Sequence, residues 1–410
     1  MEKLKPFVEN ILYDTIVPIL FITEKDIETF STDPIEYIRN QYDFTETLFQ
    51  PKNQVQDLLC YLCKYSSQGK KKKAKPDYLH KFLKFTVDNL DQYNQKVNSQ
   101  EGADWRIKEA LMFAIGCLKD EIESQKDLKK SMEQMLLSYV LPELTSEQPF
   151  MRLRACQTYG TYGDIKFKDE THVPRIVEGI YKNMTEDQPL PVRFQAACAL
   201  ERIIRIDVAA QFIRPGLDTM LKCYLSLMNE FDNEELVSAF ENIMTIFQQE
   251  IRPYAVDICN HLVSNYKRCI AQDQAGGDEW GESILAACAA VTSIRRILDA
   301  LSEDVPLMHK VEEVIYPVLL HSLTVDGLDA IEEGIDCLTI ILCNGYKKSQ
   351  VSANLWKLYP QLLYVCAGTE GETEGGFGLE YVNQVVVTLK NYISRDPEGM
   401  LRVGEGQDET

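Results

Sequence analysis

Cys60-Tyr61-Leu62-Cys63 is the one Cys-x-x-Cys in the chain. That spacing suits a zinc knuckle or a redox dithiol, but a structural zinc site needs a second pair of ligands. Cys117 and Cys156 stand singly in helical patterns. The pair therefore reads as two core thiols at i and i+3 on one helix face. The five histidines, His80, His172, His261, His309 and His321, form no His-Glu-x-x-His pair, the pattern that presents two ligands on one helical face. There is no Gly-x-x-x-x-Gly-Lys loop for phosphates and no Gly-x-Ser-x-Gly turn for a nucleophile. Paired carboxylates abound in so acidic a chain, so their proximity gives no signal for acid–base catalysis. The sequence predicts no enzyme, no metal site and no cofactor.

What remains is charge. Asp232, Glu234, Glu235 and Glu241 cluster on one helical pattern. Glu234 and Glu241, seven residues apart, fall on a common polar face, either a wall for a basic partner or an ordinary solvated face. Asp278, Glu279 and Trp280 sit in a Gly-rich acidic stretch. Trp280 there either anchors a partner peptide or opens the next helix and packs in the core. Lys70, Lys71, Lys72, Lys73 and Lys75 form the basic exception. They fit a nuclear localisation signal, a patch for acidic partners, or a solvated loop.

The elements that position these residues are helical. In Asp232 to Gln248, the apolar residues Leu236, Phe240, Ile243, Met244 and Phe247 follow i, i+4, i+7, i+8, i+11, a helical stripe. A proline-led helix start recurs at Pro142, Pro174, Pro215, Pro253, Pro317 and Pro360, with separations of 32, 41, 38, 64 and 43 residues. Four of the five lie near the ~40-residue period of stacked helix pairs. Between these prolines a second helix carries small residues, as in Pro191-Val192-Arg193 with Ala196, Ala197 and Ala199, or Trp105-Arg106-Ile107 with Ala110 and Ala114. Proline in a first helical turn costs little, because that N–H has no intrahelical partner. The expected fold is all-α: an α-solenoid of HEAT-type antiparallel helix pairs in a right-handed superhelix. About eight pairs would run continuously over 1–396 without a compact boundary. Loops are expected at 66–76 (basic), 271–281 and 368–378 (acidic, Gly-rich), and a frayed tail at 397–410.

The 410 residues carry 43 basic and 63 acidic side chains, a net charge of −20. Such a balance repels phosphates, so direct nucleic-acid binding is not expected, and basic partners are favoured. The longest apolar runs, Ile16 to Ile22 and Ile284 to Val291, fall short of the ~20 residues that span a bilayer, so no membrane partner is expected. No secretory signal follows Met1. Twelve scattered cysteines then read as free thiols in a reducing compartment. Asn183-Met184-Thr185 matches a glycosylation acceptor that would stay silent there.

A collinear series carries a family resemblance: Asp33-Pro34-Ile35-Glu36-Tyr37-Ile38-Arg39, Val140-Leu141-Pro142-Glu143-Leu144-Thr145, Phe150-Met151-Arg152-Leu153-Arg154-Ala155-Cys156, Pro191-Val192-Arg193 and Phe212-Ile213-Arg214-Pro215. On these the chain resembles the importin-β (karyopherin-β) nuclear transport receptors, most of all the importin-7/importin-8 subgroup, from near residue 10 to near residue 395. The resemblance covers a middle part of such receptors, so the chain is expected to be a fragment of a longer solenoid. It implies a non-enzymatic segment that carries basic cargo, ribosomal-protein or histone-like, through the nuclear pore. It also implies contact with phenylalanine–glycine nucleoporins, control by Ran-GTP acting largely through repeats absent here, and shuttling between cytoplasm and nucleus. The alternatives are an exporter of the same superfamily or a HEAT-repeat scaffold unrelated to transport.

Overall fold

The structure, a computed structural model, describes residues 2–42, 51–66, 76–99, 102–185, 188–230, 233–275, 282–347, 350–367 and 376–405. Every regular element among them is helical. The chain divides into two compact units, Met1–Met220 and Leu221–Thr410, where one undivided array was expected.

In the first unit, α1 (Glu24–Thr32) and α2 (Pro34–Tyr42) precede α3 (Pro51–Lys64), α4 (Leu79–Asn98) and α5 (Trp105–Cys117). Then follow α6 (Lys126–Met135), prolonged by a π turn and a 3₁₀ turn to Thr145, α7 (Pro149–Thr161), α8 (Val173–Thr185) and α9 (Leu190–Ile203). Helices α3, α5, α7 and α9 pack in succession as one row, with α4 and α8 in the row behind. The small residues read from the sequence are what bring the row together. Ala110, Ala114, Ala155, Cys156, Ala196, Ala197 and Ala199 are all buried. A Cβ on Gly160 would sit 3.1 Å from the Ala199 Cα, so α7 and α9 meet nearly backbone to backbone. Tyr162 and Tyr159 donate their hydroxyls to the Ile115 and Leu136 carbonyls at 2.8 and 3.1 Å, which removes the cost of burying an unpaired O–H. Helices α1 and α2 lie over the starts of this row. Phe30 and Tyr37 join Trp105, Phe150, Leu153 and Val192 in one apolar cluster.

Helix α10 (Leu217–Glu230) contains the unit boundary. The second unit holds α11 (Glu234–Ile246), α12 (Ala255–Gln274), α13 (Glu282–Ala300), α14 (Val305–Ser322), α15 (Ile331–Gly345), α16 (Ala353–Ala367), α17 (Val382–Arg395) and α18 (Pro397–Glu405). It repeats the plan: α11, α13, α15 and α17 form one row, and α12, α14 and α16 the other.

Several expectations need correction. Helix α12 runs to Gln274, so the break expected from Ala271 starts a turn later. The tail expected to fray from Pro397 is helical to Glu405. Its start is tied by the buried Asp396, which accepts from Gly399 N at 2.9 Å, Val351 N at 3.2 Å and Trp356 Nε1 at 3.2 Å. Pro174, Pro215 and Pro253 do mark helix or 3₁₀ starts, but Pro317 and Pro360 lie inside α14 and α16. An interior proline forfeits one backbone bond, and here the buried Ile315, Val318, Leu319, Leu358 and Leu362 around them hold the helices in place. Within the acidic stretch 368–378, Gly376 and Gly378 donate their N–H groups to the Cys366 and Val365 carbonyls. The stretch Leu4–Thr32, not foreseen as such, is long and apolar enough to cross a membrane. Here it turns at 21–23 and buries Val8, Leu12, Ile16, Val17 and Leu20, while about a third of its most apolar window is buried. The amide of Asn183 donates to the Leu144 and Gly179 carbonyls, both at 2.8 Å, so the acceptor motif is tied into the core.

Candidate protein-binding surfaces

The two units differ sharply in charge. Residues 1–220 carry 30 basic against 33 acidic side chains, a net −3, whereas residues 221–410 carry 13 against 30, a net −17. Among the acids singled out from sequence, Glu234 and Glu235 form the first turn of α11, and Glu235 is exposed. Asn233 caps that helix, its side chain accepting from Leu236 N at 3.1 Å. Glu241 is not on an open face. It is partly buried, faces Arg296 Nε of α13 at 3.4 Å and accepts from Ser293 Oγ at 3.5 Å. Burial pushes its carboxyl above the ordinary range against the pull of Arg296. Asp232, the loop residues Asp278, Glu279 and Trp280, and the lysines Lys70, Lys71, Lys72, Lys73 and Lys75 lie outside the described residues.

The structure adds acids that the sequence reading missed. Asp329, Glu332, Glu333 and Asp336 follow i, i+3, i+4, i+7 at the start of α15, a spacing that lines one helix face. Helix α15 packs on α13. Asp299 of α13 is pushed up by burial, pulled back by Arg295 and pushed up again by Asp336 across the helix pair. Arg295 stands 3.8 Å from Asp336. This patch therefore holds five carboxylates, with Arg295 and Arg296 as its nearby cations. The signal was legible in the spacing of α15. The cross-helix pairing was not, because it depends on which helices are neighbours.

In the first unit, a groove of about 620 Å³ runs between the end of α6 and α8. Leu137, Leu141 and Pro142 line it on one side, with Arg175, Glu178 and Lys182 on the other. Gly179 lets α8 approach Leu144 closely beside the groove: a Cβ there would meet Leu144 Cδ1 at 2.8 Å. Of the tyrosines beside the repeat prolines, Tyr359 is buried, while Tyr254 and Tyr316 are half-buried.

The Cys-x-x-Cys pair is placed as expected for packing thiols. Cys63 is buried, and Cys60 lies against the Cys117 carbonyl at 3.4 Å. Burial pushes the Cys60 and Cys117 thiols up to about 11 and about 12, and Cys63 further still, which keeps them protonated and unreactive. No group of three or more His, Cys, Asp or Glu residues fit to hold a metal occurs among the described residues.

A family model described as importin-9 central HEAT repeats matches residues 78–256. An importin beta-like SAD2 homolog of Arabidopsis thaliana is 29% identical over 96% of this chain and 36% of its own length. A probable importin-7 homolog of Dictyostelium discoideum is 28% identical, covering 97% and 35%. Human importin-8 is 24% identical, covering 98% and 36%. Among solved structures, the exportin Cse1 in its cargo-free, cytoplasmic state superposes with a TM-score of 0.67 at 17% identity, over 96% of this chain and 39% of that one. The Kap95:Nup1 complex gives 0.52 at 13% identity, over 98% and 49%. These two bear on the fold, an α-solenoid of HEAT-type pairs. The chain is thus an α-solenoid of HEAT-type pairs that is similar in sequence to importin-7 and importin-8 type proteins and spans about a third of their length.

Proposed function

We propose that this chain is the cargo-binding part of a nuclear import receptor and that its second unit engages basic protein cargo of ribosomal-protein or histone type. The carrying observation is the net −17 of residues 221–410, with acids packed against one another on α13 and α15. Like charges held side by side raise the energy of the free surface. Cargo lysines and arginines relieve that repulsion, and the long-range field speeds their approach. Glu234, Glu235 and the α15 acids are the contact residues in this reading, with Glu241 held back by Arg296. Asp232 and the loop residues Asp278, Glu279 and Trp280 border the same region in sequence.

The groove beside α8 suits an apolar side chain of a phenylalanine–glycine nucleoporin: it has an apolar side, a polar rim and a glycine at its closest approach. Ran-GTP control and shuttling between cytoplasm and nucleus belong to the longer receptor. The similarity to importins supports a binding role rather than catalysis.

The test is titration of the full chain with a lysine- and arginine-rich histone tail peptide at rising salt. Binding that weakens by at least about tenfold between 50 and 200 mM salt is expected for several paired charges. Affinity that is flat across that range defeats the basic-cargo reading.

A further inference from the structure

A second pocket, in the first unit, has the opposite chemistry. A cavity of about 260 Å³ opens among α2, α3, α5 and α7, lined by Lys52, Gln56, Phe113, Arg154 and Gln157 among others. Phe113 is the centre of a cation sandwich. Lys52 Nζ lies 5.1 Å from its ring centroid, and Arg154 Cζ lies 4.5 Å from it. The two cations are not equivalent. Arg154 is buried, as is its carboxylate partner Glu109; its Nε and Nη2 both reach Glu109 Oε1 at 2.6 Å, and Nη1 donates to Gln157 Oε1. That charge is matched. Lys52 has no carboxylate within 4.0 Å among the described residues.

Two further features add to a demand for a negative charge that no acid among the described residues meets. Lys52 stands in the first turn of α3, a turn without an acid, where the helix dipole already disfavours a cation. Burial also lowers the affinity of its ammonium for the proton, with Glu109 the chief opposing influence. Ring faces stabilise a cation by only ~1–2 kcal/mol, less than a buried ammonium forfeits in hydration. The rest of the lining supplies neutral donors. The side chains of Gln56 and Gln157 carry amide N–H groups, whereas Thr158 and Thr161 direct their hydroxyls to the Arg154 and Gln157 carbonyls at 2.8 and 2.9 Å.

We propose that this pocket receives a carboxylate, the side chain of an acidic peptide, which pairs with Lys52 and is steadied by the Gln56 and Gln157 amides. One unmatched positive charge fits a monoanion better than a phosphate dianion. The chain would then hold a basic partner on its second unit and an acidic one on its first.

The experiment uses the full chain and the peptide acetyl-Glu-Glu-Glu-amide, with inorganic phosphate as the competing probe. The peptide should raise the thermal midpoint of the native chain in a concentration-dependent way. Lys52→Gln should weaken peptide binding by about tenfold or more, the loss of one desolvated charge pair. Lys52→Arg should restore it, and Lys84→Gln, on the exposed face of α4, should leave it unchanged. Lys52→Met should raise the midpoint of the unliganded chain, because it removes a half-buried charge with no carboxylate beside it among the described residues, and should abolish the peptide-induced shift. Equal peptide binding by the native chain and Lys52→Gln overturns the proposal. So does tighter binding of phosphate than of peptide, or a lower unliganded midpoint for Lys52→Met.

Discussion

The two units satisfy their buried carboxylates in different ways. In the first, cations do it. Glu109 pairs with Arg154, and Glu143 pairs with Lys108 at 2.6 Å, the ammonium also reaching Asn94 Oδ1 at 3.1 Å and standing 4.9 Å over Tyr93. In the second unit, neutral donors do it. Glu312 accepts from the Tyr346 hydroxyl at 2.6 Å and from Ser352 Oγ, and Asp396 accepts chiefly from N–H groups. The cause lies in composition: residues 221–410 have 13 basic side chains where residues 1–220 have 30. A unit poor in cations buries Glu312 and Asp396 chiefly on hydroxyls and N–H groups, and has fewer cations to offset its surface acids. The same scarcity that weakens its internal pairs creates the field proposed to attract cargo.

The sharpest break of this comparison is Glu109→Ala. It strands Arg154 in the core, and a loss of about 3–5 kcal/mol is expected by denaturant unfolding. Glu312→Ala removes a buried charge along with its bonds and should cost less, about 1–3 kcal/mol. Equal costs would erase the distinction between the units.

Charge reversal comes next. Glu332→Lys, Glu333→Lys and Asp336→Lys together should lower histone-tail affinity by about 10–100-fold, each tenfold step being ~1.4 kcal/mol. The same number of reversals at Glu28, Asp88 and Asp120 of the first unit should change it by less than about threefold, because those exposed charges lie outside the proposed patch. Comparable losses from both sets would mean that net charge alone, and no localised surface, governs binding.

A pH comparison isolates Glu312. Burial holds its carboxyl above the ordinary 4.5 of a glutamate. The folded chain therefore keeps this proton at pH values where the unfolded chain has lost it. The resulting stabilisation is full below that ordinary value and is lost as pH rises through the folded one. Relative to Glu312→Gln, the native chain should lose stability between acid and neutral pH, read from the difference of the two unfolding curves. A constant difference would show that folding leaves the proton affinity of Glu312 unchanged.

The smallest effect is local. Thr23 accepts from Asp26 N at 3.1 Å while Asp26 accepts from Thr23 N at 2.8 Å, a reciprocal cap for α1. Thr23→Ala should cost about 1 kcal/mol in the first unit, and a cost below about 0.3 kcal/mol would show that α1 is held by Phe30 and its cluster alone.

Much of the fold was legible because its signals are local. The stripe Leu236, Phe240, Ile243, Met244, Phe247 is buried as the 3.6-residue period demands, and the alanines of α5, α7 and α9 sit where helices touch. The prolines misled where the surroundings overrode propensity: Pro317 and Pro360 fall inside helices because apolar neighbours hold them there. The site was legible only in part. The acidity of α11 could be read, yet the withdrawal of Glu241 required α13 beside it, and the lysine at position 52 showed nothing unusual until Phe113 and Arg154 came alongside.

By itself the sequence determined the helical class, the repeating pairs, the thiols as packing groups and the excess of acid, since each rests on periodicity or composition. Only the tertiary structure decided which charges meet. It matched Arg154 to Glu109, took Glu241 out of the open face, set α15 acids against α13 and left Lys52 without a carboxylate partner among the described residues. The physical reason is that a charge interacts through distance and desolvation, and neither is a property of position along the chain.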